Sequence, residues 1–287
     1  MKISGTWILG MLLGWSAGLA CAQLQVVPDQ QSPVVFGGTV SKIHLVWHNA
    51  GDENVTTEIR ARMLQTSSAT VVPVGAAAWK TLQVLPQQTV QESAQLDFPA
   101  VKAETKFLVQ WLENSNHILG TTEVWVYPTN LLGGLKPMLD VGDLGVLDPD
   151  NVLKPLLRQN GVEFLDLGGT TLEDFRGRLA IIGPFQSRKQ IRAGLPSATK
   201  QIAGKGVAVV WLQPPGRPHS RLQPSFYTVS AGTNVMVVAQ AALVAQLAEN
   251  PQSQLNLLRL CQLALKPEQF VLPGENTQTE GEKSYEK

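Results

Sequence analysis

The run GKGVAVVWLQPPG, residues 204–216, decides how the second half of the chain is read. Its apolar centre, residues 207–212, stands between two glycines and a pair of prolines, and a short apolar run bounded by turn residues reads as a buried strand. The end of such a strand is where many α/β enzymes mount a nucleophile. Here no Cys, Ser or Thr lies between Gly204 and Gly216. Pro214 and Pro215 also lack the N–H groups that an oxyanion hole would use.

On either side of this run, strand and helix patterns alternate. Val146-Leu147 forms a short strand ending at Asp148, and Asp150 is placed to cap a helix that Asn160-Gly161 stops. Residues 162–167 and 179–182 read as strands, with a helical turn at 172–175 between them. A helix over 190–203 is broken at 194–196, a strand follows at 234–239, and Pro251 suits the first position of a helix ending near Leu265. Strands interleaved with helices predict a mostly parallel sheet covered on both faces.

Before Tyr127 the period is two. Ile43-Leu45-Trp47 and Phe107-Val109-Trp111 alternate with Lys42, His44, Lys106 and Gln110, which predicts strands with one buried face. Strands are expected near 41–48, 55–65, 77–84, 88–96, 105–113 and 119–127, separated by polar turns such as Asn114-Ser115-Asn116. Short strands at this spacing predict an immunoglobulin-like sandwich without its usual disulfide. The expected fold class is therefore an all-β immunoglobulin-like sandwich followed by an α/β flavodoxin-like domain with a mostly parallel sheet. Its boundaries are a signal segment over 1–22, the sandwich over 23–128, a Gly-rich linker over 129–145, the α/β domain over 146–273 and a polar, disordered tail over 274–287.

Residues 1–22 carry one lysine, an apolar stretch and small residues ahead of Ala20-Cys21-Ala22, the layout of a secretory signal. The expected product is periplasmic or secreted. A lipoprotein anchored through Cys21 is the alternative, and membrane attachment is expected only in that case. The whole chain has 23 basic and 23 acidic side chains, and removing Lys2 leaves 22 against 23. This balance argues against nucleic acid as a partner. Of the two cysteines only Cys261 outlasts cleavage, so no internal disulfide forms.

The pairing of the two halves, and above all VMVVAQAALVAQLAENPQSQLNLLRL at 235–260, resembles the accessory portion of bacterial glycoside hydrolases of β-galactosidase type and related orphan proteins. The resemblance implies that the α/β unit belongs to the class I glutamine amidotransferase-like superfamily. Working members of that group carry a cysteine at the turn that here reads Trp211-Leu212-Gln213-Pro214-Pro215. The nucleophile is thus missing, and Cys261, mid-helix among Leu257, Leu258 and Leu265, reads as a packing group. His219 lies in a loop of prolines and arginines, and His44, His48 and His117 belong to the first half.

Strand ends in a parallel sheet form the crevice where ligands bind, which selects Asp148, Asp150, Asp166, Gln186 and Gln213 as candidate ligand-binding residues. Asp148 and Asp150 also stand as the alternative catalytic pair of a phosphatase-like or glycosidase-like hydrolase, with Asp148 as nucleophile or base. Against that, Asp150 as helix cap and Asp148 as turn former explain the same residues. Trp125 and Tyr127 share one face of the last strand of the first half and are candidates either to stack on a sugar or to pack on the second domain, the latter favoured because domains joined by a short connection usually share an interface. Trp47 and Trp111 read as core. No Cys or His pair has metal-ligand spacing, and Gly168-Gly169 lacks the continuation of a dinucleotide motif, so no metal and no cofactor is expected. The sequence points to an exported, non-catalytic binding or scaffolding protein associated with carbohydrate processing. A carbohydrate or a cell-envelope protein is its expected partner, and self-association is left open.

Overall fold

The computed structural model describes residues 24–114, 116–214, 225–231 and 234–267. Residues 1–23, Cys21 among them, His219 and residues 274–287 lie outside the described residues. The chain divides into two compact units, one of residues 1–32, 42–95 and 107–123, the other of residues 33–41, 96–106 and 124–287.

Eight strands come first: β1 (Leu24–Val27), β2 (Val34–Phe36), β3 (Thr39–Asn49), β4 (Val55–Thr66), β5 (Val71–Val84), β6 (Thr89–Phe98), β7 (Thr105–Glu113) and β8 (Ile118–Tyr127). They form a three-stranded sheet, β1-β3-β6, and a five-stranded sheet, β2-β8-β7-β4-β5. The alternation read from the sequence sets the faces. Ile43, Leu45 and Trp47 are buried on β3, and Phe107, Val109 and Trp111 on β7. In the first unit the rings of Trp47, Trp79 and Trp111 meet at centroid distances of 5.3–6.0 Å and draw both sheets into one core. Trp111 Nε1 donates to Thr122 Oγ1 at 2.9 Å, so its polar edge is satisfied.

The second unit holds β9 (Leu144–Leu147), α1 (Leu153–Gln159), β10 (Leu165–Asp166), β11 (Leu179–Ile182), α2 (Leu195–Gly204), β12 (Ala208–Gln213), β13 (Phe226–Ala231), β14 (Asn234–Gln240) and α3 (Pro251–Leu265). The sheet order is β10-β9-β11-β12-β14-β13. One face packs on Leu153, Leu157, Leu257, Leu260 and Cys261 from α1 and α3. The other packs on Phe175, Phe185, Ala198 and Ile202, the last two from α2. Asn250 caps α3, its side chain accepting from Gln252 N at 2.9 Å, and Pro251 takes the first helical position.

The expected fold class, an immunoglobulin-like sandwich followed by a flavodoxin-like α/β domain, does not hold. The molecule is mostly strand and is built on three sheets. In the five-stranded sheet β2 runs parallel to β8. Strands β3, β6, β7 and β8 are divided between the two compact units instead of closing one sandwich. The six-stranded sheet is mixed, because β13 pairs antiparallel with β14 at its edge. Its α-helices have 7, 10 and 15 residues, and β10 leads to β11 through a 3-10 turn at Leu172–Asp174, where the sequence reading placed a helical turn over 172–175. The physical reason is that a period of two fixes which face of a strand is buried but carries nothing about its partner or direction. Residues 226–231, which the sequence reading left unassigned, supply the antiparallel edge.

Candidate functional site

Asp148 follows β9 directly and is 3% exposed. Its Oδ2 accepts from the backbone N–H groups of Leu153 at 2.7 Å and Lys154 at 3.0 Å, the first turn of α1. Those N–H groups have no intrahelical acceptor, and a carboxylate is a strong partner for them. Asp148 therefore does the work that the sequence reading gave to Asp150, because α1 begins at Leu153 and not at residue 150. Its Oδ1 is buried with no partner among the described residues.

Asp150 is exposed and accepts from Gln190 Nε2 at 2.7 Å. The carbonyl oxygen of that Gln190 side chain accepts from the N–H groups of Gln186 at 2.7 Å and Ser187 at 3.0 Å. Asp150 and Gln186 thus belong to one small network that pins the 3-10 turn Arg188–Gln190. Asp166 lies on the short outer strand β10. Its carboxylate takes the ammonium of the buried Lys154 at 2.8 Å and the N–H of Gly168 at 2.8 Å. Those two bonds hold it below the ordinary carboxylate range. Trp125 and Tyr127 are half-buried on β8. Lys106 Nζ stands 5.4 Å from the Trp125 ring centroid, and the Tyr127 phenol bonds Glu104. Burial first, and then Glu104, raises the Tyr127 pKa.

Gln213 stands apart from the acids. It lies at the carboxyl end of β12 on the rim of a cavity of about 860 Å³. The register of β12, β14 and β13 explains the floor of that cavity. Trp211 pairs with Val238 and Val238 with Tyr227, so three side chains form one row across the sheet. Met236 and Val229 form the row below. Gln213, Gln240 and Ser225 form the row above, where the backbone of Gln240 also donates to Ser225 O at 3.0 Å. The floor thus runs from apolar to polar toward the carboxyl ends of β12 and β14. One wall comes from the 3-10 turn and α2 and presents Arg188, Arg192, Pro196 and Lys200. The three cations are exposed, and no Asp, Glu or His is among the described residues that line the cavity.

The candidates chosen from sequence therefore separate. Asp148 holds a helix, Asp166 holds a lysine, Asp150 and Gln186 hold a turn, and only Gln213 reaches the cavity. Trp211, Tyr227, Arg188, Arg192 and Lys200 were missed as site residues. Their signal was present, because Tyr227 and Val229 alternate as strand residues and the basic side chains of 188–200 have no acid among them. Cys261 is fully buried on α3, and burial pushes its pKa up to about 12, so no thiolate is available there. His44 and His48 each meet a β6 hydroxyl, Ser93 at 3.1 Å and Thr89 at 3.0 Å. Among the described residues no three of His, Cys, Asp or Glu converge as a metal site, and no helix is long and apolar enough to cross a membrane.

No protein-family model matches the chain, and no curated protein matches it. Among solved structures it is similar, over part of its length, to the Pseudomonas fluorescens alkylpurine DNA glycosylase AlkC bound to DNA containing an abasic site analog. That match has 10% identity, a TM-score of 0.29, and covers 37% of this chain and 31% of that one. The sporulation control protein Spo0M from Bacillus subtilis matches at 8% identity and a TM-score of 0.28, covering 42% and 57%. A β-glucosidase from Listeria innocua in complex with glucose matches at 12% identity and a TM-score of 0.28, covering 36% and 16%. The matched region spans less than two thirds of each of these chains. Likenesses at these scores assign neither a fold family nor a function.

Proposed function

We propose that this is an exported, non-catalytic ligand-binding protein that serves carbohydrate processing, and that its ligand sits in the cavity over β12, β14 and β13. The observation that carries the reading is the state of Asp148. A carboxylate that attacks a substrate must reach it, whereas this one is 3% exposed and accepts two backbone N–H bonds with Oδ2. The cavity has a size suited to a small ligand, a graded floor and no acid or histidine on its described lining, which supports binding without hydrolysis. Export rests on the layout of residues 1–22, and the link to carbohydrate on the sequence resemblance.

The test pairs two assays on the purified full chain. Chromogenic phosphate and glycoside substrates are expected to be stable in its presence, while an oligosaccharide panel is expected to include binders. Turnover lost in Asp148→Asn with an unchanged melting temperature would replace this reading with a hydrolase.

A further inference from the structure

The whole chain is neutral, yet its charge is not evenly spread. Between Asp174 and Glu249, residues 175–248 contain no acidic side chain and nine basic ones: Arg176, Arg178, Arg188, Lys189, Arg192, Lys200, Lys205, Arg217 and Arg221. That segment supplies every described residue of the cavity, and Arg188, Arg192 and Lys200 stand on its wall. No ion pair among the described residues engages these three. A second observation is independent of charge. Trp211 is 5% exposed, its ring lines the cavity, and its Nε1–H is buried with no acceptor among the described residues. Buried donors are ordinarily paired, so this one leaves a hydrogen bond for an acceptor to take.

Resting on the binding reading above, we infer that the cavity recognises an acidic sugar, a carbohydrate unit bearing a carboxylate or sulfate. Each part of such a ligand has a counterpart. Arg188 and Arg192 can take a carboxylate or sulfate in forked, charge-assisted hydrogen bonds, with Lys200 as a third positive charge. Gln213, Gln240 and Ser225 offer amide and hydroxyl groups to ring hydroxyls. Tyr227, 47% exposed, offers a flat apolar face with a polar tip. The neutral polar row distinguishes this site from a bare phosphate cradle. The fixed network from Asp150 through Gln190 holds the turn that bears Arg188, so part of the wall is positioned before any ligand binds.

Calorimetric titration of the full chain tests this with trigalacturonate, a sulfated disaccharide, maltotriose, inorganic sulfate and a single-stranded oligonucleotide. Expected is binding of at least one acidic sugar. Its affinity should fall at least about tenfold in Arg192→Glu, a loss in the range of one charge-assisted hydrogen bond, and should fall with added salt. Trp211→Phe, which removes the donor and trims the indole to a phenyl ring, should weaken the same ligand several-fold. Maltotriose binding as tightly and unchanged in Arg192→Glu would overturn the acidic-sugar inference while leaving the binding reading intact. Inorganic sulfate or the oligonucleotide outcompeting every sugar would overturn it in favour of that ligand. No heat from any sugar at millimolar concentration would overturn both.

Discussion

Replacing Asp148 separates structure from chemistry at the one strand-end acid that a hydrolase would need. In Asp148→Ala the N–H groups of Leu153 and Lys154 lose their acceptor at a site 3% exposed. A buried donor left unpaired costs about 1–3 kcal/mol, and loss of a capping side chain about 0.5–2 kcal/mol. Both figures describe the same lost bonds, and since two donors lose the one acceptor the loss should amount to about 2–4 kcal/mol. For a unit of this size each kcal/mol moves the melting temperature by about 2–4 °C, so a fall of roughly 5–15 °C is expected. Asp148→Asn retains one carbonyl oxygen in place of Oδ2 and should lose about 1 kcal/mol or less, since Asn and Asp are equally good caps. Differential scanning calorimetry with circular dichroism reads both variants, and ligand titration at 20 °C reads the site. An Ala variant as stable as wild type, or an Asn variant that is fully stable but has lost a measurable turnover, would refute the reasoning.

Three further outcomes follow from the same contacts. Asp166→Asn leaves the buried Lys154 ammonium without its partner, and since the carboxylate side chain is 49% exposed the loss should be about 1–2 kcal/mol, well below that of a fully buried pair. Because the folded state holds this carboxyl below its ordinary value of 3.8, the difference between wild type and variant should be constant above about pH 5 and shrink as pH falls through the folded value; urea midpoints from pH 2 to 8 read it, and a difference that grows in acid would contradict it. Gly145→Ala places a methyl 2.8 Å from Leu167 Cδ1 and 2.9 Å from two carbons of the Phe175 ring, an overpacking expected to lower stability by about 1–3 kcal/mol in the same melts. Cys261, assayed on a Cys21→Ser background at pH 8, should react with a thiol reagent only after unfolding, since burial pushes its pKa up to about 12; stoichiometric labelling of the native protein within minutes would contradict that burial.

Single elements were legible where local chemistry specifies them. Leu179–Ile182 and Ala208–Gln213 are apolar runs that glycine and proline punctuate, and α3 starts where Asn250-Pro251 announces it. The arrangement was not, because pairing is decided by which faces bury together across the chain. Nothing in Val34-Val35-Phe36 says that it lies parallel to β8, and nothing in residues 226–231 says that they form an antiparallel edge. At the site, Gln213 was found because strand ends can be read from sequence. Asp148 was read as a turn former, which its carbonyl oxygen is through the N–H of Asn151 at 3.3 Å, but its capping side chain was missed because α1 starts at Leu153, three residues beyond Asp150. The cationic wall was missed because the overall charge is zero, a sum that hides an acid-free stretch.

Amide hydrogen exchange of the full chain, with and without saturating trigalacturonate, locates the ligand directly. Slowed exchange in β13, at the end of β14 and along residues 188–200 is expected, with the Asp148 turn unchanged. Protection centred on residues 148–154 and 165–168, or none in any segment, would contradict a binding site over β12, β14 and β13.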